Sequence, residues 1–160
     1  MAYIAFEHKY NRLPIIKRKV MAAGSGGDYV HCEIVLNEYG NKVCSSWYPK
    51  GVEIRQHRGY AKPENWVKYD LGSIDLYIKR YFDKHEGKKY TLSGLVFNMM
   101  LNGNYSSNRT FCSQICFDAL QNVPFIDLGN YRSSSLSPND LERIIRENNY
   151  QQLNLAQQWH

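Results

Sequence analysis

The chain has 160 residues, of which 43% are hydrophobic and 22% charged, a composition typical of one globular domain. Lys and Arg number 20 against 15 for Asp and Glu, so the formal net charge is +5, and the four cysteines are too few for a disulfide scaffold. These numbers exclude a membrane protein, a collagen, a coiled coil and a disordered chain, but they do not select a function.

Short β-rich segments separated by turn residues fill the first half of the sequence. The predicted strands are, in chain order, residues 3–6, 29–36, 42–48, 52–55 and 73–78, the last with Leu71 and Gly72 leading into it. Apolar residues at helical spacing predict an amphipathic helix over residues 13–23. The turn residues at 37–41 make the second and third strands a β-hairpin.

Helical patterns follow in the second half. We predict helices at residues 81–86, 92–101 and 112–121, and a last helix running through Leu141, Ile144 and Ile145. Gly87 closes the first of these, residues 102–108 form a polar loop, and Ile115, Phe117 and Leu120 are candidate buried positions.

The last helix has a clear start. Ser137 suits the N-cap, Pro138 the first helical position and Asp140 the first turn. Because the strands are grouped and the helices are grouped, the sequence predicts an α+β fold. We expect a single domain over residues 1–147 and a frayed polar tail over residues 148–160.

The N-terminal residues show no basic region followed by an apolar stretch, so we expect no secretory signal peptide, synthesis in the cytoplasm and reduced thiols. The most apolar window, residues 95–101, is too short to span a bilayer. Basic clusters at residues 17–19 and 88–89 suit either an anionic wall polymer or a solvated surface. No sequence pattern predicts a specific nucleic-acid partner.

Cys112 and His31 are the candidate nucleophile and base. Cys112 opens a predicted helix, where unpaired N–H groups and the positive end of the helix dipole lower a thiol's pKa and stabilise an oxyanion. His31 lies on the first hairpin strand and would take the thiol proton if that strand packs on the helix start. On these two residues alone, a buried structural thiol and a satisfied histidine remain the alternative.

Five segments of the sequence match, in order, the motifs of a known family. They are residues 29–36 (Y-V-H-C-E-I-V-L), 44–46 with 51–54, 87–95 (G-K-K-Y-T-L-S-G-L), 111–116 (F-C-S-Q-I-C) and 137–141 (S-P-N-D-L). Together they resemble the permuted papain-like cysteine hydrolases of the NlpC superfamily, in particular its YiiX-like amidase branch. In that branch the histidine strand precedes the cysteine helix, the reverse of the order in papain. The resemblance covers residues 29–141.

The resemblance implies a circularly permuted papain-like fold, in which an antiparallel β-meander packs on helices. It implies that Cys112 is the nucleophile and His31 the base of a thiol hydrolase that cleaves an amide or ester through an acyl-enzyme, without a cofactor. Relatives act on peptidoglycan peptides, other amides or lipid esters, and members without a signal peptide occur in bacteria and their phages. A cell-wall peptide is therefore the first expected substrate, and association with a phage particle is an expected partner relationship.

Two other functions stay open from the sequence. One is a phage structural or tail-tip component that uses the fold as a scaffold. The other is a lipid acyltransferase or thioesterase, which would transfer an acyl group from an apolar groove.

The third, orienting group is less well determined. Glu33 shares a strand face with His31, although a neighbour on the same strand reaches the ring poorly. If residues 36 and 42 close the hairpin, Ser45 faces residue 33 and is the cross-strand candidate. Tyr90 and Ser113, within the matching segments, are further orienting or groove candidates. Thr91 and Val30 depart from the family's Asp and Ser at these motifs.

A metal site is not predicted. Cys112 and Cys116 are one helical turn apart, but zinc would need two more ligands at short spacing. Strand alternation puts Cys32 and His31 on opposite faces, so we expect the two not to share a site. Cys32, Cys44 and Cys116 are predicted to be small buried packing groups.

Overall fold

A five-stranded antiparallel sheet, in the order β4-β3-β2-β1-β5, forms the centre of the protein. The computed structural model describes residues 1–8, 27–90 and 109–153. The strands of the sheet are β1 (Ala2–His8), β2 (Tyr29–Leu36), β3 (Lys42–Trp47), β4 (Gly51–Gln56) and β5 (Trp66–Gly72).

Three α-helices and a small second sheet complete the described part of the chain. The helices are α1 (Asp75–His85), α2 (Cys112–Gln121) and α3 (Pro138–Glu147). Strands β6 (Lys89–Tyr90) and β7 (Arg109–Thr110) pair in parallel. Short 3-10 turns lie at Asn37–Tyr39, Pro63–Asn65 and Ser133–Ser135. The architecture is a mixed α+β fold. No helix in the described ranges is long and apolar enough to cross a membrane.

The two faces of the sheet differ in chemistry, because side chains alternate along each strand. On the inner face, Ile4 pairs with Ile34 and Phe6 with Cys32, and all four belong to the hydrophobic core formed with the helices. The opposite, outer face carries polar side chains, namely Tyr3, His31, Glu33 and Lys68. The sheet therefore separates an apolar core from a polar surface layer.

The β-hairpin forms as the sequence predicts. Leu36 pairs with Lys42, and the turn between them contains Gly40 and Asn41 with φ angles of 70° and 54°. Glycine and asparagine are the residues that adopt this left-handed conformation most readily, which explains why the chain reverses here. The prediction that residues 36 and 42 close the hairpin is confirmed.

The predicted strand at residues 73–78 is wrong. The chain leaves β5 at Gly72, where φ is 73°, and enters α1 at Asp75, so the helix predicted at 81–86 begins six residues earlier. Ile78 and Phe82, four residues apart, are buried, whereas Leu76 is 46% exposed. The alternation of apolar residues at 74, 76 and 78 mimics a strand, but the helical spacing of Ile74, Ile78 and Phe82 places these three in the core and leaves Leu76 outside.

Helices α2 and α3 match their predictions. In α2, Ile115, Phe117 and Leu120 are buried as expected. At the start of α3, Ser137 accepts a hydrogen bond from the N–H of Asp140, whose side chain accepts one from the N–H of Ser137. This reciprocal capping box satisfies two otherwise unpaired donors and fixes where α3 begins.

Residues 151–153, after α3, pair with β5, so the prediction of a frayed tail is wrong for these residues. The N–H of Asp70 donates to the carbonyl of Gln151 at 3.0 Å, and the N–H of Leu153 to that of Lys68 at 2.9 Å. These bonds extend the sheet beyond β5. The predicted helices at 13–23 and 92–101 and the predicted loop at 102–108 lie outside the described residues.

Candidate functional site

Cys112 is the first residue of α2 and follows β7 almost directly. Phe111, the preceding residue, is extended and provides no side-chain cap, while its carbonyl accepts the N–H of Ile115 at 3.1 Å. The side chains of Phe111 and Cys112 are both buried in the protein, which fixes the first turn of the helix. The N–H groups of that turn have no acceptor within the helix, so they give the position of Cys112 a positive electrostatic potential.

The start of α2 lies where β2 and β3 separate. Among the described residues, the β2–β3 ladder ends at the Ile34–Cys44 pair. Beyond it, the carbonyl of Cys32 accepts hydrogen bonds from Ser45 Oγ at 2.7 Å and from Cys116 Sγ at 3.9 Å. Side chains of β3 and α2 therefore replace the strand partner of Cys32 and hold the helix start against the end of the sheet.

The neighbours of Cys112 favour its thiolate form. The neighbouring Cys32 thiol lowers its pKa by hydrogen bonding, and burial opposes this effect. The charge and hydrogen bonding of His31 and the backbone N–H of Cys32 then bring the pKa of Cys112 well below its usual value. A thiolate rather than a thiol is the reactive nucleophile, so these neighbours prepare Cys112 for covalent chemistry.

His31 has the complementary shift. Burial alone would lower the pKa of its imidazole, but charge and hydrogen-bond interactions with Cys112 and Glu33 outweigh that effect and raise it well above the usual value. The two opposite shifts favour an imidazolium beside a thiolate at neutral pH. Only 14% of the His31 side chain is exposed, so solvent screens this pair weakly.

Glu33 reaches the imidazole despite lying on the same strand. Its Oε2 lies 3.4 Å from Nε2 of His31, and its Oε1 accepts a hydrogen bond from the Tyr60 hydroxyl at 2.8 Å. The Glu33 side chain is 8% exposed. Glu33 therefore contacts the imidazole directly and is itself held by a residue from the segment between β4 and β5.

Aromatic rings enclose the imidazole. The ring centroids of Trp47 and Trp66 lie 6.0 Å and 6.4 Å from that of His31, and Tyr60 packs on Trp66 at 4.2 Å. The guanidinium of Arg55 lies 4.0 Å from the Trp47 ring centroid, a cation–π contact. These rings exclude water from the histidine and strengthen its interactions with charged neighbours.

The remaining predicted site residues have different positions. Ser45 does not bond to the imidazole. Its buried hydroxyl donates to the Cys32 carbonyl, which lacks a backbone partner on β3. Ser113 is buried and donates to the carbonyl of Leu136 at 2.6 Å, which ties α2 to the segment before α3. The backbone of Tyr90 pairs with Thr110, two residues before Cys112, and its side chain lies outside the described part of the structure.

Cys32 and His31, which the sequence does not place together in a metal site, both lower the pKa of Cys112. Both residues interact with Cys112, although strand alternation directs their side chains to opposite faces. The β2–β3 pairing ends at Ile34 and Cys44, before it reaches Cys32 and His31. Cys32 is therefore a neighbour of Cys112 as well as a packing residue.

The burial of the cysteines and the arrangement of potential metal ligands give no sign of a metal site in the described residues. All four cysteines are free and buried, and burial raises the pKa of Cys32 and Cys44 above the usual range. Across residues 1–8, 27–90 and 109–153, no group of three or more His, Cys, Asp or Glu side chains is arranged to hold a metal ion.

Sequence reasoning missed Tyr60, Trp47 and Trp66. Tyr60 is 27 residues from Glu33 in a segment without regular structure, and no spacing or periodicity connects the two. The tryptophans could have been noticed, since Trp47 follows strand alternation onto the face that carries His31.

Comparison with known proteins adds no relative to these observations. No protein-family model matches the chain, and no curated protein is significantly similar to it.

Proposed function

We propose that this chain is a thiol hydrolase that cleaves an amide or ester bond through a Cys-His acyl-enzyme mechanism. The observation that carries the proposal is the contact of Cys112, at the start of α2, with His31, which is in turn contacted by Glu33. A nucleophile, a base and a group that orients the base are the three elements such chemistry requires.

The Cys112 thiolate attacks the substrate carbonyl carbon and forms a C–S bond, and the carbonyl oxygen becomes an oxyanion. The imidazolium of His31 gives its proton to the leaving amine or alkoxide as the C–N or C–O bond breaks. Neutral His31 then takes a proton from water, which attacks the thioester, and the acid product leaves as the thiolate is restored. Glu33 favours the charged form of His31 throughout.

The first turn of α2 suits the oxyanion. Backbone N–H groups there, including that of Cys112, point beyond the helix without an acceptor in the helix. Phe111 supplies no side chain that would occupy them. Such donors stabilise negative charge that develops on a carbonyl oxygen next to the nucleophile.

We further propose a circularly permuted papain-like arrangement for the α+β fold. What supports it is the order of elements, with the histidine strand β2 before the cysteine helix α2, and the resemblance of residues 29–141 to the NlpC superfamily. By the same resemblance, the first proposed substrate is a cell-wall peptide, and bacteria or phages are the expected setting. The net charge of +5 is compatible with an anionic wall polymer.

Purified peptidoglycan sacculi and a set of short acyl esters test the reaction and its substrate together. We expect release of soluble peptides from sacculi by the wild type, loss of release in Cys112→Ser, and retention in Cys44→Ala, which removes a buried thiol away from His31. A covalent acyl adduct on Cys112, detected by intact mass, would identify the intermediate.

The alternatives predict different products. Ester turnover or acyl transfer to an acceptor other than water, without peptide release, would replace the cell-wall substrate by lipid chemistry. The absence of any product and of any Cys112 adduct in folded protein would contradict the hydrolase and favour a scaffold.

A further inference from the structure

A concave region whose lining does not include Cys112 lies on the outer face of the sheet. It is a pocket of about 660 Å³ between strands β1 and β5 and the segment that follows β4. Its walls include Tyr3, His57, Tyr60 and Lys68. The volume lies in the range of cavities that hold small organic molecules.

Lys68 is the unusual residue of this pocket. It occupies the middle of β5, only 4% of the residue is exposed, and its ammonium lies 4.7 Å and 5.2 Å from the ring centroids of Tyr60 and Tyr3. Within the described part of the chain, the ammonium has these ring contacts but neither a hydrogen bond nor an ion pair. The stem of Lys68 is buried while its ammonium meets the solvent of the pocket, so an anionic group that enters the pocket would gain a charge-assisted hydrogen bond.

Glu33 and Asp70, the anionic groups near Lys68, each accept a hydrogen bond from another residue. Glu33 contacts His31 and accepts the Tyr60 hydroxyl, so that its charge acts on Lys68 only from a distance. Asp70, on the pocket wall, accepts the N–H of Gly72 through Oδ1 at 2.8 Å.

The other potential cations of the pocket differ from Lys68. Burial lowers the pKa of His57, which favours its neutral form. The amino group of Met1 is paired with Glu38 and Asp75. Arg58 is exposed on the wall and adds positive charge at the entrance. Lys68, in the middle of β5, and Arg58, on the exposed wall, are therefore the cations that can meet a ligand, and Asp70 is a carboxylate on the same wall.

We propose that this pocket binds a small organic anion through Lys68. The ligand's phosphate or carboxylate group accepts hydrogen bonds from the ammonium, and its organic part packs on the rings of Tyr3 and Tyr60. A phosphate or carboxylate satisfies the ammonium as water does, and adds the charge-assisted attraction that water lacks. The pocket shares Tyr60 with the proposed catalytic site, but anion binding at Lys68 does not depend on the hydrolase chemistry.

Titration of the intact chain with phenyl phosphate, benzoate and benzylammonium tests the site, with isothermal calorimetry and heteronuclear NMR as readouts. We expect an anion to bind the wild type with shifts at Tyr3, Tyr60 and Lys68, and benzylammonium not to bind. Lys68→Met, which keeps the aliphatic stem, should weaken binding at least about tenfold. Lys68→Arg should retain more affinity than Lys68→Met.

Lys62→Met is the matched control, because Lys62 is exposed on the segment between β4 and β5 and does not line the pocket. It should leave the affinity within about twofold, and Cys112→Ser should bind as the wild type does. If only phenyl phosphate binds, the ligand carries a phosphate group. If only benzoate binds, the ligand carries a carboxylate group. No binding of either anion, equal binding of benzylammonium, or equal losses in the two lysine variants would overturn the proposal.

Discussion

Oε2 of Glu33 lies 3.4 Å from Nε2 of His31, while the other carboxylate oxygen accepts the hydroxyl of Tyr60. The carboxylate therefore connects the imidazole to the outer face of the sheet. This contact forms between residues two apart on one strand, because both side chains project from the same face.

Glu33→Gln should lower the pKa of His31, since the glutamate charge is one of the causes that raise it. Tyr60→Phe should change it less, because the carboxylate remains and only its hydroxyl partner is lost. NMR titration of the imidazole Cε1–H measures both values. An unchanged His31 pKa in Glu33→Gln would contradict the electrostatic role assigned to Glu33.

The same shift has a consequence for stability. Because the folded state raises the pKa of His31, the imidazolium stabilises the fold fully below the unfolded value of about 6.5. This contribution is lost as the pH rises through the folded value. The difference in unfolding free energy between the wild type and Glu33→Gln should therefore vary with pH across this window, as chemical denaturation at several pH values would measure.

Gly51→Ala should destabilise the fold strongly. Gly51 begins β4 with φ of 100°, and a Cβ there would lie 2.0 Å from the carbonyl oxygen of Lys88, which accepts the N–H of Val52. Gly59→Ala is the control, because Gly59 has φ of 79° but no atom within 4 Å of the added Cβ. Urea denaturation should show a cost of about 1–2 kcal/mol for Gly59→Ala and a clearly larger one for Gly51→Ala. Equal costs would contradict the close approach at Lys88.

Ile78→Ala and Leu76→Ala distinguish a helix from a strand over residues 75–85. Ile78 is fully buried and Leu76 is 46% exposed, so loss of Ile78 leaves a core cavity and loss of Leu76 does not. We expect a cost of about 2–5 kcal/mol for Ile78→Ala and well under 1 kcal/mol for Leu76→Ala. Comparable costs for the two would favour the strand that the sequence pattern suggests.

Local signals explain which parts of the fold the sequence predicts. The hairpin, α2 and α3 are predictable because strand alternation, a left-handed turn and a capping box act within a few residues. Helix α1 is mistaken for a strand because Ile74, Leu76 and Ile78 suit either period over such a short stretch. The pairing of residues 151–153 with β5 depends on tertiary contacts, and the polar sequence of this segment does not predict them.

The candidate site divides in the same way. Glu33 could be predicted from strand alternation, and Cys112 and His31 from their residue types together with the family resemblance. Tyr60 could not be predicted, because it reaches the site from a loop distant in sequence. The contact of Cys32 with Cys112 depends on the end of the β2–β3 ladder, which only the register reveals.

The rate of Cys112 alkylation by iodoacetamide, followed by intact mass and peptide mapping across pH, tests the central claim most directly. At pH 7, Cys112 should react at least about tenfold faster than Cys32, Cys44 or Cys116, since a lowered pKa makes it a thiolate there. In His31→Ala the reaction should slow and its pH profile should move toward that of an ordinary thiol. Cys112 reacting no faster than the other three cysteines, or with a pH profile unchanged by His31→Ala, would contradict the thiolate–imidazolium pair.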